Sequence, residues 1–186
     1  MSSTGKLVGL LKKNITDGDS LLDIGGGVGI IQHELFEAGV STAVQVDASQ
    51  AYLDVSQSEA EKRGHNERTT YLYGDFVELS PELNDADIVA LDRVICCYPD
   101  METLVKTSTS KARKWYGVVY PKDRWYVRVG LWLGNLYCRL RNIDFRVFAH
   151  SNQAIDKSIQ EEGMELHEES STFVWKIAVY RKVPVN

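Results

Sequence analysis

Cysteine is scarce in this chain. The three that occur, Cys96, Cys97 and Cys138, are odd in number with two adjacent, so they supply neither a disulfide framework nor a paired-cysteine metal knuckle. That usage fits a reducing compartment, and the expected location is cytoplasmic. No apolar run approaches the roughly 20 residues of a membrane-spanning helix. The stretch from Met1 to Lys13 is short and amphipathic, without the apolar core and cleavage site of a secretory leader. Spanning is thereby excluded, while attachment to a membrane surface is left open. Positive charge is also short: 21 Lys and Arg stand against 26 Asp and Glu, a formal charge of -5. The chain as a whole therefore offers no field that would gather nucleic acid, and no nucleic-acid partner is expected. His33, His65, Asp54 and the remaining acids lack metal-ligand spacing, so no metal is expected either. Internal repeats and low-complexity linkers are missing too, which predicts a single domain over 1–186.

What is there is a regular alternation. Ser20 to Ile24, Ser41 to Val46, Thr70 to Tyr73, Asp87 to Leu91 and Trp115 to Tyr120 read as buried strands. Helices are predicted from Gly29 to Gly39, from the N-cap Ser49 to Gly64, from Asp100 to Lys114 and from Asn152 to Glu162. This order implies a mainly parallel sheet with helices on both faces. The end of the chain departs from it: Glu165 to Glu169 and Thr172 to Tyr180 are separated only by Ser170-Ser171, too short for a crossover. They must be antiparallel neighbours. The predicted architecture is α/β, a Rossmann-like sheet of seven strands that ends in a reversed strand.

The first strand runs directly into Asp23-Ile24-Gly25-Gly26-Gly27-Val28-Gly29 and then into a helix, which places glycines where backbone must approach a ligand. About 20 residues on, Gln45-Val46-Asp47 ends the second strand with a carboxylate suited to ribose hydroxyls. Gly74-Asp75-Phe76 follows the third strand, and Leu91-Asp92-Arg93-Val94-Ile95 lies at the end of the fourth, in the switch region where open α/β sheets bind ligands. A nucleotide-dependent oxidoreductase is the alternative, but the dinucleotide signature is GxGxxG, whereas Gly25, Gly27 and Gly29 follow GxGxG with Ile30 in the place of the third glycine. Leu22 to Gly29 resembles motif I of the class I S-adenosylmethionine-dependent methyltransferases. The resemblance implies that Asp23, Gly25, Gly26, Gly27 and Gly29 hold the methionine end of the cofactor. It implies further that Asp47 and Ala48 meet the ribose, that Asp75 and Phe76 meet the adenine, and that Asp92 faces the cofactor. A non-catalytic protein that binds S-adenosylmethionine is the second alternative.

The segment 121–149 reads as a helical insertion governing specificity. On a helix from Asp123 to Arg141, Arg124, Arg128, Asn135, Arg139 and Arg141 are expected to form a basic stripe, opposed by Trp125, Val129, Trp132, Leu133, Leu136 and Leu140. Lys122 to Arg146 holds six basic residues against two acids, Asp123 and Asp144. Three readings compete: a helix packed by its apolar face on the sheet or a dimer partner; a lid whose Arg124, Trp125 and Arg128 contact an amphiphilic anionic substrate; or a helix lying on an anionic bilayer. Asp92-Arg93-Val94-Ile95-Cys96-Cys97-Tyr98-Pro99 and Phe145-Arg146-Val147-Phe148-Ala149-His150 are similar to segments of the magnesium-protoporphyrin O-methyltransferases, which methylate a porphyrin propionate. Tyr98, His150 and Asp92 are candidate bases for a hydroxyl acceptor, with Tyr98 and His150 the catalytic candidates; a carboxylate acceptor would need none. The expected partner is a small-molecule acceptor, and the chain is expected to be a monomer or homodimer.

Overall fold

The computed structural model describes residues 1–143 and 146–183. Asp144 and Phe145, which belong to the charge count and to the second resemblance, lie outside the described residues. The strands are β1 (Ser20–Ile24), β2 (Thr42–Asp47), β3 (Thr69–Tyr73), β4 (Ala86–Asp92), β5 (Ala112–Pro121), β6 (Met164–Ser171) and β7 (Trp175–Lys182). They form one sheet in the order β3-β2-β1-β4-β5-β7-β6. β1 to β5 pair in parallel, and β7 runs antiparallel to both β5 and β6. The seven-stranded Rossmann-like sheet with a reversed last strand is the predicted one. The helices are α1 (Ser3–Lys12), α2 (Ile30–Phe36), α3 (Gln50–Arg63), the single turn α4 (Phe76–Leu79), α5 (Met101–Ser110), α6 (Trp125–Leu140) and α7 (Asn152–Glu161).

Side chains alternate across the strands and so build two cores. Leu21, Ile88, Ala90 and Val119 pack with Leu7, Leu11, Ile31 and Leu35 of α1 and α2. Leu22, Val89, Leu91 and Val118 pack with Leu104, Val105, Ile155 and Ile159 of α5 and α7. Each such buried side chain contributes roughly 1.5–3 kcal/mol. Gly117 lets α1 settle on β5, since a Cβ there would lie 2.9 Å from Leu7.

Several boundaries differ from the sequence reading. The stretch before Lys13 is a full helix, α1, capped by the Ser2 hydroxyl accepting from the Gly5 amide at 3.1 Å. α5 stops at Ser110, not Lys114, because the Ser108 and Thr109 hydroxyls bond back onto carbonyls of Leu104 and Val105, and Ala112 already pairs with Ala86. The final turn is Thr172-Phe173-Val174, with Ser170 and Ser171 still paired in β6; Thr172 closes it through its amide and hydroxyl on Trp175.

Of the three readings of α6, the structure excludes packing of the apolar face on the sheet: Trp125, Val129, Trp132, Leu133, Leu136 and Leu140 are all exposed, Trp125 at 77% and Leu140 at 74%. The helix rests instead on Val127, Leu131, Asn135 and Cys138, a face that overlaps the predicted stripe: Asn135 is turned inward and bonds the Val147 backbone at 2.7 and 2.9 Å. Arg141 caps the helix, and at 100° per residue it falls off the stripe, where its guanidinium lies 5.7 Å from the Tyr137 ring.

Candidate active site

In the sheet, β1 lies between β2 and β4, so successive crossovers diverge there and the loops after β1 and β4 splay apart. The β1–α2 loop holds Gly25, Gly27 and Gly29 at φ 63°, 56° and 80°, a region closed to most side chains. Space is refused as well as conformation: a Cβ on Gly25 would lie 2.5 Å from Val94, and one on Gly29 would meet Ser56 and Gln32. Gly27 has nothing within 4 Å of that position and opens onto the cleft. Ser56 donates to Gln45 at 2.6 Å, and Gln45 donates to the Gly27 carbonyl at 2.7 Å, so two side chains overlooked in the sequence reading brace the loop.

Asp23 lies directly under the loop. A Cβ on Gly26 would stand 2.6 Å from its Oδ2, the side chain is fully buried, and both carboxylate oxygens lack a hydrogen-bond partner. Burial, and then the charges of Asp92 and Asp47, push its carboxyl up to about 8. Asp47, at the end of β2, takes the Gly27 amide on Oδ2 at 2.9 Å and the Ser49 amide on Oδ1 at 2.8 Å. Ala48 beside it is exposed.

After β3, Asp75 caps α4 by accepting from Val77 at 2.7 Å, and the Tyr98 hydroxyl donates to the same oxygen at 3.2 Å. Phe76 is a core residue, 5% exposed, its ring spent on the α5 side of the sheet. Burial and the neighbouring Asp75 push the Tyr98 phenol up to about 12. After β4, Asp92 accepts from the Thr4 hydroxyl at 2.5 Å and pairs with Arg93 at 3.2 Å. Arg93 has φ 64°, a strained value for a residue with a side chain.

The loops after β1 and β4, with α1, α3 and α6, line a cleft of about 580 Å³ whose walls include Gly25, Gly27, Tyr52, Asp92, Cys97 and Leu131; Asp75 and Phe76 are not among its lining residues. A second, smaller pocket under α6 is lined by Arg128, Phe148 and His150, and it shares Cys96 and Leu131 with the first. The ring Nε2 of His150 is 3.0 Å from the Tyr98 carbonyl. The structure thus gathers Gly25, Gly26, Gly27 and Asp92 on one cleft, with Asp23 and Asp47 bonded or wedged behind it, and sets Arg128 and His150 next door. It does not bring Arg124 or Trp125 there; both are exposed at the start of α6. Thr4, Tyr52 and Arg93 were missed. Arg93 adjoins an acid already singled out, but nothing in the local spacing of Thr4 could have linked it to Asp92, 88 residues away. Among the described residues no group of His, Cys, Asp or Glu could hold a metal ion.

Residues 22–111 match the family model described as a methyltransferase domain. No curated protein matches the chain. Among solved structures, the chain is similar to the magnesium protoporphyrin IX methyltransferase of Synechocystis PCC 6803 with bound SAH, at TM-score 0.77 and 18% identity over 97% of this chain and 82% of that one. The YcgJ protein of Bacillus subtilis matches at TM-score 0.76 and 14% identity, over 97% and 100% of the two chains. The [4+2]-cyclase SpnF matches at TM-score 0.73 and 13% identity, over 97% and 82%. At such identities the likeness is one of fold.

Proposed function

From residues 22–111, which match a methyltransferase-domain family model, we propose that the chain transfers methyl from S-adenosylmethionine to an oxygen of a small amphiphilic carboxylate, with porphyrin-like acids the first to try. The residues around the cleft fit the cofactor. Asp23 is a buried acid lacking a partner, and an ammonium group reaching the glycine loop would supply one. Asp47 uses one N–H per oxygen and keeps a lone pair on each for ribose hydroxyls. Asp75 takes both its donors on Oδ1, which leaves Oδ2 for an adenine amino group.

The cofactor supplies, when bound, a methyl group on a positively charged sulfur, already a good leaving group. The chain therefore has to align the acceptor and exclude water. The observation that carries the acceptor class is Arg128, which lies beside Cys96 and Leu131 at the edge of the cleft; the pocket under α6 itself leaves only about 10 Å³, so the body of an acceptor would have to lie in the cleft. Arg128 suits a carboxylate or phosphate. A carbonyl can only accept, so His150 Nε2 carries the proton toward Tyr98, which fixes the ring's orientation beside the pocket; a carboxylate acceptor needs no base there. Tyr98 holds its proton too tightly to act as a base near neutral pH and instead positions Asp75. Similarity to the magnesium protoporphyrin IX methyltransferase fold supports porphyrins as the starting set.

Isothermal titration with S-adenosylhomocysteine, NADH and NADPH, using Asp47→Ala as control, tests the cofactor half. S-adenosylhomocysteine alone should bind, and the variant should weaken it. Methyl transfer to a panel of carboxylated amphiphiles, porphyrins first, tests the acceptor half. Nicotinamide binding would overturn the reading, as would cofactor binding with no turnover across the panel.

A further inference from the structure

Among the described residues, the outer side of α6 gathers the largest group of exposed large apolar side chains on one element. Trp132, Val129, Leu136, Leu140 and Leu133 are 63%, 49%, 40%, 74% and 52% exposed, a continuous apolar band along a helix of 16 residues. Phe173, at the tip of the β6–β7 turn, extends it: the ring is 76% exposed and stacks on Tyr126 of α6, with centroids 4.8 Å apart. The margins of the band are basic. On the 100° wheel Arg124, Arg128 and Arg139 border one side, and Arg141, held near the Tyr137 ring, borders the other. Among the described residues Arg124, Arg139 and Arg141 have no acid within 4.0 Å, and Arg128 has only Asp123 at 3.8 Å. An apolar centre between cationic edges is the pattern of a helix that lies in the plane of a bilayer surface.

We propose that this face of α6, with Phe173, docks the protein on an anionic lipid bilayer. Charge complementarity selects that occupant: six basic residues against two acids between 122 and 146 give this segment a local positive excess in a chain of net charge -5, which favours anionic headgroups here. A second copy is a poorer match, because two-fold pairing of the band would bring arginine margin against arginine margin. The opposite face of the same helix presents Leu131 to the cleft and to the smaller pocket. Docking would therefore hold both cavities next to the headgroup layer. Arg128 is common to this face and to the proposed acceptor contact, but the apolar band, Arg139 and Phe173 are not, so variants of those residues test docking separately from the proposed acceptor.

Flotation with vesicles of phosphatidylcholine alone and of equimolar phosphatidylcholine and phosphatidylglycerol tests it, with light scattering of the free protein alongside. The expected result is co-flotation with the anionic vesicles, falling as salt is raised, and little with the neutral ones. Trp132→Glu with Leu136→Glu should weaken it by roughly tenfold or more, and Arg139→Glu should remove most of the anionic preference. Unchanged circular dichroism and S-adenosylhomocysteine affinity in the variants would assign the loss to the surface alone. Absence of flotation with either vesicle would overturn the proposal. So would a stable dimer that Trp132→Glu dissociates, since the face would then be covered by a second copy.

Discussion

Two parts of this molecule depart from ordinary burial in opposite directions. Around the glycine loop a carboxylic acid is fully buried with no hydrogen-bond partner, whereas along α6 two tryptophans and several leucines stand in water with no cover. Each arrangement is unfavourable when the chain is considered alone. Together they carry the two proposals made above, and the sign of each mismatch sets what is proposed: a cationic group over Asp23, an apolar layer over α6.

The buried end of that comparison is tested most strongly through Asp23. Its carboxyl is pushed up to about 8 from an ordinary 3.8, chiefly by burial. The folded chain thus keeps a proton that the unfolded chain releases near 3.8, so this group's contribution to stability is complete below about pH 4 and declines as the pH rises toward 8. The slope is roughly 1.4 kcal/mol per pH unit. Thermal melts of the apo protein should show that decline, and Asp23→Asn should flatten it. Binding of a cation over Asp23 would drive its ionisation, so S-adenosylhomocysteine affinity in the unchanged protein should rise with pH over the same range and lose that dependence in the variant. An unaltered slope in Asp23→Asn would mean that the acid finds a partner in the fold.

A smaller effect belongs to Gly26, whose backbone is not strained and whose constraint is one of space, chiefly against the Asp23 carboxylate at 2.6 Å and then Gln45 at 3.0 Å. Gly26→Ala should destabilise by about 1–3 kcal/mol through overpacking. Adding Asp23→Ala should restore most of the stability without restoring cofactor affinity. Equal melting curves for Gly26→Ala and the unchanged chain would show that the acid does not sit beneath the loop.

How much of this was legible beforehand divides along the same line. The glycine loop, the acids at 23, 47, 75 and 92 and the reversed final strand were readable because turn geometry and strand ends are written in short-range spacing. Thr4 on Asp92 and Gln45 braced by Ser56 were not, since those contacts join elements distant in sequence. Amphipathicity revealed that α6 has two faces but left open which one meets the protein, because a hydrophobic period says that a face wants cover without saying that this chain provides it. The C-terminal limit of α5 failed for a local reason, the hydroxyl-rich run from Thr107 to Ser110 that competes with helical hydrogen bonding.

Between the two parts lies the pocket holding Arg128 and His150. If Arg128 anchors an anionic acceptor, Arg128→Ala should raise the acceptor KM by roughly tenfold, about 1.4 kcal/mol, with kcat and cofactor affinity little changed. An equal loss in kcat would instead place Arg128 at the reacting atoms.

The smallest expected effect is the one that separates the two parts most cleanly. Leu35, fully buried between α2 and the sheet, and Leu136, 40% exposed on α6, are the same residue type on helices of the same fold. Leu35→Ala removes packed atoms and leaves a cavity, and it should cost about 2–5 kcal/mol in urea unfolding. Leu136→Ala removes atoms that already contact water, and it should stay within about 0.5 kcal/mol of the unchanged protein. A near-neutral result is what an outward face predicts: Leu136 would be dispensable for folding and retained for what α6 touches outside the chain. A loss near that of Leu35→Ala would mean that the apolar band packs against this protein in solution, with α6 turned the other way, and both the bilayer contact and the pocket beneath it would have to be redrawn.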